Sequence, residues 1–417
     1  MTEKLKNRNF PNLRFPGFLG EWEARKLGEL LEFKNGINAS KEQYGKGVKF
    51  INVLDILNND YITYDNIVGK VDVDSTIINK FSVQFGDILF QRSSETREEV
   101  GTANVYLDKD KKATFGGFVI RGRKIGDYNP IFFNKLLKTN SARDSISSKS
   151  GGSTRFNVGQ EILSSITLCF PSLAEQNKIA DFLSHIDSRI QTQKKIIEDL
   201  TVLKNNVVKK LFENKLKFKN GDEDFQKWEK KRLTEISKEH LNKNPDNLYS
   251  EVFSVSKHKG VINQIEHLGR SFSAKDIAHY KVVFPGDLVY TKSPTSEFPF
   301  GIIKQNRTGR TGVVSPLYCV FTPETFELGY LLHEYFNSSV NTYNYLNPLV
   351  QKGAKNTMNI NNETFLNGAK LLLPLDKIEQ KHIYTALSLL ADKIDVEERI
   401  LLKYENQKKY LLANLFI

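Results

Sequence analysis

Two heptad seams, lying 204 residues apart in matching register, constrain this chain more than any other feature. From Ile179 the apolar positions step by four and three through Leu183, Ile186 and Ile190, then resume at Ile197, Leu200, Val207 and Leu211. Adding 204 to each number gives Ile383, Leu387, Leu390, Ile394, Leu401, Tyr404, Leu411 and Leu415. The interruptions coincide as well, Gln193 with Glu397 and Lys204 with Lys408. Polar residues in a seam lower stability but can fix register and partner choice. Each seam covers about 33 residues, or about 50 Å of helix at 1.5 Å per residue. A lone exposed seam is an aggregation hazard, so each seam needs a partner, and the obvious one is the other copy. A folded segment must carry the chain from the end of the first helix to the start of the second. An antiparallel pair with globular halves at opposite ends is therefore expected.

The duplication extends beyond the helices. Trp22-Glu23 followed by Leu27 and Glu29 returns as Trp228-Glu229 followed by Leu233 and Glu235. Phe85-Gly86-Asp87-Ile88-Leu89-Phe90-Gln91-Arg92-Ser93 returns as Pro285-Gly286-Asp287-Leu288-Val289-Tyr290-Thr291-Lys292-Ser293. The shared Gly-Asp reads as a turn feeding a strand. Lys149 to Asn157 (KSGGSTRFN) aligns with Gln351 to Asn359 (QKGAKNTMN), both basic, Gly-containing and loop-like. Each half reads as mixed α and β. Strands are predicted at Val48 to Val53, Asp87 to Phe90, Gly117 to Ile120, Ile166 to Phe170, Leu288 to Tyr290, Leu317 to Phe321 and Leu371 to Leu373, with short helices at Pro130 to Asn140 and Glu327 to Asn337. Asn214 to Lys227, rich in Lys, Asn, Gly and Asp, reads as the passage into the second globular half.

Four hundred and seventeen residues suffice for two or three domains with real cores. A formal net charge of +11, spread over both halves, favours a polyanion partner over an ordinary basic protein. Cys169 and Cys319 fall at non-equivalent repeat positions in apolar stretches, which points to buried thiols in a reducing compartment. The polar start, Met1 to Asn9, lacks a signal-peptide core, and no apolar run reaches about 18 residues. A cytoplasmic protein with no membrane partner is expected.

Catalytic motifs are missing from the sequence. It has no Gly-x-x-x-x-Gly-Lys-Ser/Thr loop, and its seven histidines form neither HExxH nor a Cys/His cluster. Adenine amino-methyltransferases use an Asn/Asp-Pro-Pro-aromatic tetrapeptide, which Asn129-Pro130-Ile131-Phe132 does not match. An acidic nuclease site could be drawn from Pro285-Gly286-Asp287 with Lys292, but Gly-Asp precedes a strand in both halves and reads as a turn.

The sequence resembles the DNA-specificity subunits of type I restriction-modification systems over essentially its whole length. The likeness rests on Leu13-Arg14-Phe15-Pro16-Gly17-Phe18, Gly20-Glu21-Trp22-Glu23, Lys26-Leu27-Gly28-Glu29-Leu30 and both Gly-Asp strands. It rests also on Pro171-Ser172-Leu173-Ala174-Glu175-Gln176-Asn177-Lys178-Ile179 leading into the seam, with an altered second copy from Pro374 to Ile383. The resemblance implies an α+β protein with two similar mixed α/β target-recognition domains separated by two long conserved helices that form an antiparallel coiled coil. The domain plan would be 1-170, first recognition domain; 171-213, first spacer helix; 214-373, second recognition domain; and 374-417, second spacer helix. It also implies a non-catalytic chain. Each domain would read half of a bipartite asymmetric site in double-stranded DNA, while the helices set the spacing and dock two methyltransferase subunits. Two restriction subunits would complete the complex. No cofactor is expected in this chain. S-adenosylmethionine would belong to the methyltransferase partner, and ATP and Mg2+ to the restriction partner. Candidate DNA contacts lie in polar loops: Gln91, Arg92, Ser93, Thr154 and Arg155 in the first half; Thr291, Lys292, Ser293, Lys355, Asn356 and Thr357 in the second. Arg92 and Arg155 suit guanine, and Gln91 and Asn356 suit adenine. Lys149 and Lys352 suit phosphate. The competing readings are a DNA nuclease or modification enzyme with a cryptic site, and a coiled-coil adaptor that binds only proteins.

Overall fold

The computed structural model describes residues 9–152, 154–270, 273, 276–352 and 358–417. It divides into two compact units, Met1–Lys195 with Arg399–Ile417, and Ile196–Glu398. Each is built on a four-stranded antiparallel sheet. In the first unit the strand order is Leu31–Asn35, Val119–Lys124, Ile88–Gln91, Ala103–Val105. In the second it is Ser237–Glu239, Cys319–Pro323, Leu288–Tyr290, Ile303–Gln305. The two orders correspond strand for strand, so the duplication seen in the sequence is a duplication of topology.

The strand after each Gly-Asp is central and buried on both faces, which is why it reads as a continuous apolar run. Alternate side chains enter different cores. Ile88 and Phe90 pack with Leu31, Ile120 and Phe132, whereas Leu89 packs with Ile51, Phe115 and Val119. Likewise Leu288 and Tyr290 pack with Ile303, Phe321 and Phe365, and Val289 with Phe253, Val314 and Val320. The turn before each strand is also repeated. Gly86 and Gly286 adopt φ of +88° and +94°, a region that favours glycine. Asp87 accepts the Gln84 N–H at 2.9 Å, and Asp287 accepts the Phe284 N–H at 2.7 Å. The aspartates are turn caps.

Several predicted boundaries shift. The strand predicted at Val48 to Val53 runs Tyr44–Ile51, because Asn52 and Asp55 form a reciprocal capping box that starts the helix Val53–Leu57. The Gly117 strand begins at Val119, and the Leu317 strand at Cys319. Pro130 to Asn140 resolves into Pro130–Leu136 and a second helix, Asn140–Ser147, capped by Thr139. The passage at Asn214 to Lys227 contains a small hairpin, Lys219–Asn220 with Glu223–Asp224.

The long helices span Leu173–Phe212 and Lys377–Asn414. Each follows a short strand that pairs with the Trp-Glu segment of its own repeat: Thr167–Phe170 with Glu23–Lys26, and Leu371–Leu373 with Glu229–Lys231. Each starts alike, with Gln176 donating to the Pro171 carbonyl and Gln380 to the Pro374 carbonyl, both at 2.9 Å. Within the first unit, Ile179, Leu183, Ile186 and Ile190 share a core with Leu411, Leu415 and Phe416, and Leu401 and Tyr404 pack against it. Within the second, Val208 and Leu211 share a core with Ile383 and Leu387, and Val207 packs against it. In both units the start of one helix meets the end of the other, so the helices are antiparallel. The mid-seam residues Ile197, Leu200, Leu390 and Ile394 are half-buried. The division into units falls within the helices rather than at their ends, because each stretch of the helix pair shares a core with one globular half.

Candidate nucleic-acid interface

In the first unit two loops that are far apart in sequence are joined by a short ladder. Ser93–Ser94 pairs with Phe156–Asn157, Ser94 opposite Phe156 and Ser93 opposite Asn157. The Val158 N–H donates to the Arg92 carbonyl at 3.0 Å, and the Ser93 hydroxyl donates to Asn157 Oδ1 at 2.5 Å. Beside this ladder is an open hollow of about 390 Å³, lined by Asn35, Arg92, Gly151, Gly152, Asn157 and Gly159 among others. Gly152 is obligatory: its φ is +115°, and a Cβ there would meet the Arg155 carbonyl at 2.1 Å. Arg92, Thr154 and Arg155 are exposed and Ser93 is half-buried. These four candidates therefore lie on joined loops, available to a ligand.

Two candidates turn inward. Gln91 is 4% exposed, and its carboxamide donates to the Ser93 carbonyl at 2.9 Å, bracing the loop from beneath. Its equivalent Thr291 is also 4% exposed, and its hydroxyl accepts the N–H groups of Ser293 and Ile302. Both positions sit where the buried central strand ends, so their side chains point inward. Lys149 is exposed, but its ammonium lies 3.3 Å from the Ser165 carbonyl, at the end of the helix Gln160–Ser165.

In the second unit Ser293 is exposed and Lys292 half-buried. Lys292 holds a left-handed φ of +59°, against the backbone of which Gly301 packs so closely that a Cβ on Gly301 would fall 2.8 Å from Lys292 Cα. Burial lowers the Lys292 pKa. Non-glycine residues in this region cost about 1–3 kcal/mol and cluster at functional sites. Here Gln351–Lys352 pairs antiparallel with Met358–Asn359. Lys355, Asn356 and Thr357 lie outside the described residues, as does the side chain of Lys352.

A cationic cluster on the first sheet leaves no signal in the sequence. Lys34 and Arg121 are cross-strand partners, Arg123 is the next residue on that face, and Lys80 ends the nearby helix Ser75–Lys80. Arg121 is 6% exposed and donates to the Ser82 carbonyl at 2.5 Å. Burial, then the neighbouring Arg121 and Lys80, lower the Lys34 pKa; burial and Arg123 lower that of Arg121. Glu32, the cross-strand partner of Arg123, raises both, and Asp87 lies 3.4 Å from Arg123. At the corresponding place in the second sheet the ladder has Val320 opposite Val289, where the first has Arg121 opposite Leu89. Among the described residues no group of acidic, histidine or cysteine side chains could hold a metal ion. No described helix is long and apolar enough to cross a membrane.

Residues 20–202 match the family described as "Type I restriction modification DNA specificity domain". The putative type I restriction enzyme MjaX specificity subunit of Methanocaldococcus jannaschii is 26% identical over 217 residues, 51% of this chain and 50% of that protein. The MjaIX specificity subunit of the same organism is 28% identical over 233 residues, 52% of each. The chain thus spans about half the length of the curated relatives it matches. The crystal structure of a type I restriction-modification S subunit from M. genitalium superposes with a TM-score of 0.58 at 16% identity, covering 98% of this chain and 99% of that one. A structure from a study of complex assembly and conformational transition of the type I system gives 0.53 at 14% identity, covering 97% of each. Residues 20–202 thus match the type I restriction-modification DNA-specificity domain, and nearly the whole chain, with its duplicated sheet topology, shares the fold of the solved S subunit.

Proposed function

We propose that this chain is the non-catalytic reader of a type I complex, with each globular half reading one part of a bipartite DNA site. The observation that carries the reading is the recurrence of one sheet topology in two units, each bearing exposed polar loops after the same Gly-Asp strand. In the first half Arg92, Ser93, Thr154 and Arg155 address base edges, and Lys34 and the exposed Lys80 attract phosphate. In the second half Lys292, Ser293, Lys352, Lys355, Asn356 and Thr357 take those roles.

Half-sites one helical turn apart, about 34 Å, present their major grooves on one face of the duplex. A helix of 40 residues is about 60 Å long and can set such a spacing. The helices also carry apolar residues that their own seam does not cover: Val202 and Leu203 on the first, Leu389, Val396 and Leu402 on the second. These suit partner subunits, two methyltransferases that bring S-adenosylmethionine and two restriction subunits that bring ATP and Mg2+. The chain would act with them in the cytoplasm.

The test is selection of randomised duplexes by the reconstituted chain-methyltransferase complex. Enrichment of one split motif is expected; enrichment that is no greater than with methyltransferase alone would refute the reading.

A further inference from the structure

The two seam lysines, matched across the repeat, do not sit in the helix pair as isolated flaws. Lys204 on the first long helix lies 2.6 Å from Glu334, which is 3% exposed on the recognition-domain helix Phe326–Asn337. Lys408 on the second long helix lies 2.7 Å from Asp187 on the first, and Asp187 also pairs with Lys135 at 2.5 Å. Lys135 is buried on the recognition-domain helix Pro130–Leu136, and the Tyr61 hydroxyl of the same domain donates to Asp187 at 3.1 Å. Each unit therefore contains one buried carboxylate at which a seam lysine and the recognition domain meet. In the first unit the helix supplies the carboxylate and the domain a lysine; in the second the domain supplies the carboxylate and the helix a lysine.

We infer that Asp187 and Glu334 are positioning residues that lock each recognition domain in one orientation on the helix pair, and so restrict the spacer between half-sites to a single length. This rests on the proposed reading of DNA by both halves. A buried ion pair is a poor source of stability compared with a packed apolar contact, but it specifies geometry, because any slip leaves a charge buried without its partner. The apolar cores would tolerate a small rotation that the charged contacts do not. Asn337 reinforces the second lock: it donates to Glu334 at 3.3 Å and accepts from Lys304. Changing the spacer by one base pair displaces a half-site by about 3.4 Å and turns it by about 34°. That is larger than an intact ion pair of this kind can follow.

The experiment uses the full chain in its methyltransferase complex and reads methylation on duplexes in which both half-sites are fixed and only the spacer varies. With Lys204→Met, spacers one base pair longer or shorter should rise to at least a tenth of the native rate while the bases read in both half-sites stay the same. Lys204→Arg, which retains the charge, should restore the single spacer. Lys135→Met should relax the spacer in the same way from the first unit. A spacer profile identical to wild type in folded Lys204→Met and Lys135→Met complexes would overturn the inference. If Lys204→Met abolishes methylation, recovery of the native spacer by Lys204→Arg supports the lock, and failure to recover in a folded complex contradicts it. Absence of any split motif with the wild-type complex would refute the reading of function itself.

Discussion

Arg14 grips Glu175 through two hydrogen bonds of 2.7 Å, from Nε and Nη2 to the two carboxylate oxygens. Glu175 is 1% exposed in the first turn of the first long helix. The corresponding Glu379, 204 residues on, accepts instead from the indole of Trp228 at 2.9 Å. One helix position thus anchors the incoming segment of each repeat through different chemistry.

Removing Arg14 leaves a buried carboxylate without its cation. Arg14→Ala should destabilise the first unit by about 3 kcal/mol, and Arg14→Lys should recover only part of this, because an ammonium cannot form the two-pronged bond. Denaturant unfolding of the two variants checks the order. Equal stability of Arg14→Ala and wild type would show that the pair contributes nothing.

The seam is a packed core, so truncating it should be expensive. Leu183 is 1% exposed, and Leu183→Ala should cost about 2–5 kcal/mol. Ile190→Asp places a carboxylate among Ile186, Leu411 and Leu415 and should cost more. Thermal melts of the full chain read both changes, and retention of the wild-type midpoint in Ile190→Asp would contradict the packing described.

The second unit should be acid-sensitive. Burial pushes His333 down to about 3, and its Nδ1 accepts the Gln305 N–H at 3.1 Å, so the ring is neutral when folded. The unfolded chain binds a proton near pH 6.5, whereas the folded chain resists doing so until about pH 3. The stabilising contribution is therefore complete above pH 6.5 and lost as pH falls toward 3, reaching about 2 kcal/mol of loss by pH 5. His333→Asn keeps an acceptor without titrating and should flatten this part of the stability-pH curve. An unchanged slope would remove His333 as its cause.

Arg92 and Arg155 are exposed beside the Gly152 hollow. Replacing either with Ala should alter the bases read in one half-site only, by about 1–3 kcal/mol of discrimination. Lys80→Ala, which removes the exposed lysine of the cationic cluster, should weaken binding to all sequences alike and reduce the salt slope by about one. Competition binding over a salt series separates the two behaviours. A change in both half-sites with Arg92→Ala would place it outside base recognition.

Much of the frame was legible because it repeats with a period. The seam from Ile179 to Leu211 and its copy follow the heptad, and Gly86-Asp87 and Gly286-Asp287 announce the same turn. The ladder of Ser93 with Asn157 was not legible, since it joins loops about sixty residues apart through backbone bonds that any residue can make. Gln91 and Thr291 resemble surface residues in composition, but Gln91 ends and Thr291 directly follows a strand buried on both faces. Asp187, Lys135 and Glu334 look like ordinary helix polar residues until folding brings their partners to them. The cluster of Lys34 with Arg121 is assembled across strands and leaves no local pattern.

In the proposed function this chain directs methylation to a split site. The most direct measurement is a genome-wide map of adenine methylation in a methylation-deficient host expressing the chain with its methyltransferase, compared with methyltransferase alone. A bipartite motif that appears only with the chain present, with one spacer length, is the predicted result. A soluble assembled complex that adds no motif would contradict it.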